Sequence, residues 1–142
     1  MIVLDANILL YAFDSSSPRH DAARRWLEAA LGGAEIVGFP LVTLLAFVRI
    51  GSDPRVFTAP LEATEAIVIV QDWLERPNTR LVQPTSQHWP VLAETVGSGR
   101  ARGPTVTDAH LAALAKEHGA RLCTTDRDFA RFSGVEVIDP TT

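Results

Sequence analysis

Three aspartates each stand where a short apolar segment stops. Asp5 follows Ile2-Val3-Leu4, Asp126 follows Leu122-Cys123-Thr124-Thr125, and Asp108 opens the run from Ala109 to Ala115. A buried strand that runs into a carboxylate is how an open α/β sheet places charge at the carboxyl edge of its strands, where ligands bind. Three such groups from distant parts of the chain point to one acidic pocket. Carboxylates held together repel, a pair at ~4 Å costing about 4 kcal/mol at an effective dielectric of roughly 20. Protons or a cation must relieve that repulsion, and a hard divalent metal with oxygen ligands is the natural candidate.

Each aspartate also has a simpler use. A carboxylate that starts a turn after a strand is common, which suffices for Asp5. Asp126, in Thr124-Thr125-Asp126-Arg127-Asp128-Phe129, fits a helix cap, although Asp128 fits that part better. Asp108 stands at a helix start, where negative charge is favoured. On a helical wheel of about 100° per residue, however, Asp108 shares a face with Leu111, Ala112 and Ala115, while His110 and Glu117 fall on the opposite, solvent-facing side. A capping aspartate has no reason to prefer the packed face, and a charge there needs a partner. Singly, none of the three is specific; two strand-end acids combined with one on the buried side of a helix are much more so.

The elements that must position them follow from periodicity and breakers. Ile2 to Leu4 reads as the first strand and Asn7 to Phe13 as a short helix capped by Asn7. Ser17-Pro18 is a helix start, and the helix buries Ala23, Trp26, Leu27, Ala30 and Leu31 before stopping at Gly32-Gly33. A second strand covers Ile36 to Phe39, followed by an apolar helix from Leu41 to Ile50. Leu61 to Glu75 is amphipathic, with Ala66, Ile67, Val70, Trp73 and Leu74 on one face, and Pro77 forbids its continuation. Arg80 to Gln83 is the third strand and Gln87 to Val96 the next helix, after which Gly97 to Pro104 (GSGRARGP) reads as the most flexible stretch. A helix from Thr105 to His118, closed by Gly119, leads to a fourth strand at Arg121 to Thr124, a short helix at Arg127 to Phe132 and an edge strand at Val135 to Ile138. Strands alternating with helices imply a three-layer α/β/α fold around a mainly parallel sheet. No repeat, low-complexity tract or linker divides residues 1–142, so one domain is expected.

Bulk composition narrows the function classes. With 142 residues, 46% hydrophobic and 21% charged, the chain has the make-up of a globular domain and not of a disordered one. Cys123, the one cysteine, falls inside a strand; a lone buried thiol implies no disulfide framework and fits a reducing cytoplasm. Apolar stretches are broken by Arg49, Glu65 or Gln71 before they reach the length of a membrane span. No basic region followed by a long apolar run marks a secretory signal. A net charge of −4 argues against the broad basic surface of a typical nucleic-acid binder. It leaves room for a metal-filled acidic pocket with a local rim of arginines: all but Lys116 of the 13 basic residues are arginine, the side chain suited to bidentate phosphate contacts.

The stretches LDANILLYA (Leu4 to Ala12), TDAHLAALAKEHGARL (Thr107 to Leu122) and TTDRDFARF (Thr124 to Phe132) resemble the acidic motifs of the PIN domain and, more narrowly, of the ribonuclease toxins of VapBC toxin–antitoxin systems. The resemblance spans essentially the whole chain, and the second stretch is its most specific part. It implies a PIN-like fold in which Asp5 and Asp108 together hold Mg²⁺ or Mn²⁺. Asp126 corresponds to a late acid acting at longer range or through water, and Asn7 to a small polar residue behind the first acid. The chemistry implied is metal-assisted hydrolysis of an RNA phosphodiester: the metal lowers the pKa of a bound water, orients it and neutralises charge in the transition state. Implied partners are a cognate VapB-type antitoxin whose C-terminal segment covers the pocket, the RNA substrate, and a second copy in a homodimer. DNA is reached only through the antitoxin, and no membrane is involved. There is one departure. Many such toxins carry a Glu on the second core helix shortly before a basic residue; here Leu44-Leu45-Ala46-Phe47-Val48-Arg49 places Ala46 there, and no carboxylate occurs from Gly38 to Ser52. One metal or two is therefore open. A catalytically weak or silent protein that binds RNA or an antitoxin is the alternative.

Other residues have plainer readings. His20, His88, His110 and His118 lack metal-ligand spacing and read as structural or surface groups. Trp26, Trp73 and Trp89 fall on apolar helix faces and read as core or dimer packing. Arg100 and Arg102, in the glycine-rich stretch, are candidates for phosphate contacts, and Arg49, ending a very apolar helix, is a candidate partner for an active-site carboxylate or a substrate phosphate. Gly97, Gly99 and Gly103 do not follow a strand, so they are no nucleotide fingerprint. A phosphotransfer domain would need a lysine near a late strand end, and Lys116 lies in mid-helix.

Overall fold

The expected strands pair into a single parallel sheet in the computed structural model, which describes residues 1–142. In order the chain forms β1 (Ile2–Leu4), α1 (Ala6–Phe13), α2 (His20–Leu31), β2 (Val37–Pro40), α3 (Leu41–Gly51), α4 (Ala63–Glu75), β3 (Thr79–Val82), α5 (His88–Gly99), α6 (Thr105–Glu117), β4 (Arg121–Cys123), a 3₁₀ helix (Arg127–Arg131) and β5 (Val137–Ile138). In space the strands lie β3-β2-β1-β4-β5. The sheet therefore grows from β1 to β3 in one direction, and the chain then returns to lay down β4 on the other side of β1. Right-handed crossovers require the helices serving these two directions to lie on opposite faces.

Strand alternation sorts the core accordingly. Ile2 and Leu4 face a cluster with Leu9, Leu27, Leu44, Phe47 and Trp73, drawn from α1 to α4. Val3, between them, faces Leu111, Ala112, Leu114 and Ala115 of α6, with Leu92 and Val96 of α5 packed against it. The result is the three-layer α/β/α arrangement expected from the alternation of elements. Connections diverge between β1 and β4, which opens a crevice at the carboxyl ends of those two strands. Leu4 pairs with Cys123, and the Asp5 N–H donates to the Cys123 carbonyl at 3.0 Å, carrying the ladder one residue past β1. Asp5 and Thr124 thus leave the sheet side by side.

Several local expectations are corrected. Helix α2 begins at His20 and not at Ser17-Pro18, because the Ser17 hydroxyl accepts from the Arg19 N–H at 3.1 Å and closes a turn instead of capping. Helix α5 runs on through Gly99, so only residues 100–104 of the glycine-rich stretch form a loop. Gly99 is required by packing: a Cβ there would meet the Phe132 ring at 2.5 Å. Trp73 is in the core, stacked on Phe39 at 5.7 Å between ring centres, but Trp26 is only half-buried and Trp89 is 77% exposed.

The supposed solvent face of α6 is covered by α5. The Glu117 side chain is 1% exposed and accepts from the Thr85 N–H at 3.0 Å, the Thr85 hydroxyl at 2.8 Å and His88 Nδ1 at 2.6 Å. His88 Nε2 in turn lies 3.0 Å from Nδ1 of the half-buried His110. Burial alone would raise the Glu117 carboxyl, but the hydrogen bonds from His88 and Thr85 outweigh it and hold the group below its ordinary value. A helical wheel assigns polar residues to water; here they form a buried polar seam between two helices. Truncating Glu117 orphans three donors, so Glu117→Ala should cost about 3 kcal/mol of unfolding free energy in a urea titration. An unchanged midpoint would show that the seam does not hold α5 on α6.

Candidate active site

Asp5 ends β1 and begins α1 at once. Its Oδ1 accepts from the Ala6 N–H at 2.7 Å, so Asp5 caps the helix in place of Asn7. Its Oδ2 accepts from the Thr124 hydroxyl at 2.8 Å and from Asn7 Nδ2 at 3.4 Å. Thr124 Oγ1 also accepts from Asn7 Nδ2 and from the Asp126 N–H, both at 3.1 Å. One hydroxyl, 1% exposed, therefore donates once and accepts twice, using its whole hydrogen-bonding capacity to fix Asp5, Asn7 and the turn that carries Asp126. Thr124 is the site residue that sequence reasoning missed. Its signal was present in TTDRDFARF: a small hydroxyl at the end of a strand adjacent to the one that delivers the first acid.

Asp108 arrives on the first turn of α6, half-buried, and its carboxylate takes no hydrogen bond from the protein. Asp126 is exposed at the start of the 3₁₀ helix, which it caps by accepting from the Asp128 N–H at 2.9 Å. The capping part expected of Asp128 therefore falls to Asp126, and Asp128 pairs with Arg131 at 3.1 Å.

Mutual repulsion ties the acids together. Burial, then the charges of Asp126, Asp5 and Asp128, push the Asp108 carboxyl up from 3.8 to about 6, with Arg131 pulling weakly the other way. Asp5 is also raised, mainly by burial and slightly by Asp126, against the hydrogen bonds from Thr124 and Ala6 that lower it. The three acids share one field, yet no group of three or more His, Cys, Asp or Glu side chains is placed to hold a metal ion by itself. Arg49 is not the basic partner of this pocket: it is exposed at the end of α3, where its charge bears on Asp53. Arg131 is the arginine whose charge opposes the rise at Asp108. Cys123 lies fully buried with its thiol pushed far above the ordinary range, which removes it as a nucleophile.

The PIN domain matches residues 2–135. The chain belongs to the PIN domain family. Ribonuclease VapC37 of Mycobacterium tuberculosis is 47% identical over 143 residues, covering 99% of this chain and 97% of that one. Among solved structures, VapBC2 from Rickettsia felis bound to a DNA fragment from its promoter superposes with a TM-score of 0.70 at 16% identity, covering 98% of each chain. VapC20 of Mycobacterium tuberculosis, a sarcin–ricin-loop-cleaving toxin, gives 0.68 at 18% identity, covering 96% of this chain and 99% of that one. At such identities the two structures speak for the fold alone, and the strand order agrees with a PIN-like architecture.

Within that PIN architecture the donor set suits a hard divalent cation. Every available ligand is a carboxylate oxygen, Asp108 keeps both oxygens free of protein hydrogen bonds, and the repulsion centred on it is the kind a cation relieves. Ala46, half-buried on α3, has no oxygen donor in its side chain.

A carboxyl whose pKa is higher folded than unfolded weakens folding once the pH passes 3.8, and the full penalty is present above about 6. Replacing Asp108 by Asn removes it. In EDTA near pH ~7.5, Asp108→Asn should raise stability to urea by about 1 kcal/mol after discounting for solvent screening, and the gain should vanish below roughly pH 4. A loss at neutral pH, or an equal gain at both pH values, would show that Asp108 bears no charge strain.

Proposed function

We propose that this chain is the toxic component of a VapBC-type toxin–antitoxin system, a Mg²⁺- or Mn²⁺-dependent endoribonuclease that hydrolyses RNA phosphodiester bonds in the cytoplasm. Asp5 and Asp108 carry this proposal. They come from the end of β1 and the first turn of α6 to one crevice and are both raised by burial together with neighbouring carboxylate charge, as a pocket built for a cation requires. Support comes from a relative: the protein 47% identical to this chain is called a ribonuclease.

In this reading Asp5 and Asp108 would hold the cation, with Asp126 reaching it through water. When bound, the cation would lower the pKa of a coordinated water and offset charge on the phosphoryl oxygens. The chain's own residues prepare for it. Ala6 N–H and the Thr124 hydroxyl fix the two oxygens of Asp5, and Asn7 braces both Asp5 and Thr124. The Asp126 backbone is pinned to the same hydroxyl, so the late acid is held in register with the first. Asp108, untethered, adjusts its carboxylate to the ligand. Its value of about 6 leaves it mostly ionised at neutral pH and increasingly protonated below that.

A VapB-type antitoxin is the matching partner. A basic side chain reaching the carboxylates would relieve the same repulsion as a metal, and DNA would be met only through that antitoxin. The homodimer would draw on apolar surface at α3 and β3, where Leu41, Leu45 and Leu81 are exposed.

Purified protein should cut cellular RNA at discrete sites in Mg²⁺ or Mn²⁺, should not cut in EDTA, and should lose at least roughly a hundredfold in rate in Asp5→Asn with Asp108→Asn. Asp126→Asn should give a partial loss. Folded, antitoxin-free protein that makes no cuts with any metal would defeat the nuclease reading and favour a binding-only PIN domain, with Ala46 as its cause.

A further inference from the structure

Beside the acidic pocket lies an open groove of about 650 Å³, lined by four arginines, Asp128, Thr105, Gly99 and Ala130. Arg100 and Arg102 enter it from the loop after α5, and Arg127 and Arg131 from the 3₁₀ helix, with Asp128 the only acid. Four arginines against one aspartate give a local excess of three positive charges in a chain whose net charge is −4. None of Arg100, Arg102 and Arg127 is in an ion pair, whereas Arg131 is held by Asp128 at 3.1 Å.

The groove is built and not incidental. Its two walls are locked together by the close seat of Phe132 on Gly99, where no Cβ would fit. Arg100 occupies a left-handed conformation (φ 52°, ψ 42°) and is the one non-glycine residue in the chain with a positive φ. Glycine is the residue that tolerates this helix-ending position without strain, and Gly97, Gly99 and Gly103 stand close by. The left-handed backbone at Arg100 carries strain that a glycine would not, and its side chain lines the groove. The groove also adjoins the pocket: Asp128 and Arg131 line it, and both act electrostatically on Asp108.

We propose that this groove is an RNA-backbone subsite, in which Arg100, Arg102 and Arg127 grip phosphates of the strand that flank the bond presented to Asp5 and Asp108. The proposal rests on the nuclease reading. Guanidinium forks suit the non-bridging oxygens of successive phosphodiesters, and they contact no base, so the grip is independent of sequence. Its charge offsets the repulsion that an acidic pocket would otherwise exert on an incoming strand.

The test is fluorescence anisotropy with a fluorescein-labelled oligouridylate, in an Asp108→Asn background that blocks cutting and keeps the groove. Adding Arg100→Gln and Arg127→Gln should weaken binding at least roughly tenfold at low salt and reduce the slope of log K against log salt by about 1.4, at ~0.7 per lost contact. Arg100→Gly alone should weaken binding while leaving the melting temperature unchanged or higher, because glycine relieves the left-handed strain; a merely structural arginine would lower it. Unchanged affinity and slope in the double variant overturn the subsite, and leave the nuclease standing if the protein with Asp108 intact still cuts RNA. Absence of both binding and cutting overturns the two together. Variants that keep RNA affinity but no longer co-purify with the cognate antitoxin overturn the RNA subsite in favour of a protein occupant.

Discussion

Repulsion among carboxylates at the end of β1 and β4 is the constraint around which this structure is arranged. Asp5, Asp108 and Asp126 come from three separate stretches of sequence, and Asp108 is driven up to about 6 by burial and by its acidic neighbours. Such a cluster weakens folding, so the rest of the molecule must hold it in place. The parallel ladder does part of this, since Asp5, one residue beyond β1, still donates its N–H to the Cys123 carbonyl of β4. Thr124 does the rest through a hydroxyl with no spare hydrogen-bonding capacity.

The division of labour between the acids follows from their surroundings. Asp5 is tied at both oxygens and cannot move without breaking the start of α1. Asp126 is committed to capping the 3₁₀ helix through one oxygen. Only Asp108 is free. A rigid acid opposite an adaptable one would suit the proposed cation, because one carboxylate would fix its position while the other adjusts to it. Basic groups are kept out of the centre and set at its margin, where Arg131 is already paired with Asp128 and the remaining arginines of the groove carry no partner of their own.

Much of this was legible in the chain, and the failures have a common cause. The strands, the layer order and the meeting of the three acids followed from strand-end aspartates and from alternation of elements, because each is a local signal. What sequence reasoning could not see was which polar faces would be covered. Glu117 and His110 looked solvated on their helix, but α5 lies over them and turns them into a buried seam with His88. Arg49 looked like the partner of the pocket because it ended an apolar helix, yet it is exposed and its charge bears on Asp53. Thr124 was passed over because a lone threonine has no distinctive spacing; only the pairing of β1 with β4 reveals it as the hub. The arginine groove likewise depends on the Gly99–Phe132 contact, which brings together two segments far apart in sequence.

The most direct test of the account is Mn²⁺ binding to the protein in solution, followed by electron paramagnetic resonance as a function of pH. Bound ion should be retained at about pH 7.5, released on acidification as protons compete for Asp108, and lost in Asp108→Asn. Binding that ignores both pH and Asp108, or RNA cleavage that persists undiminished in EDTA, would contradict the claim that a cation relieves the repulsion at this pocket.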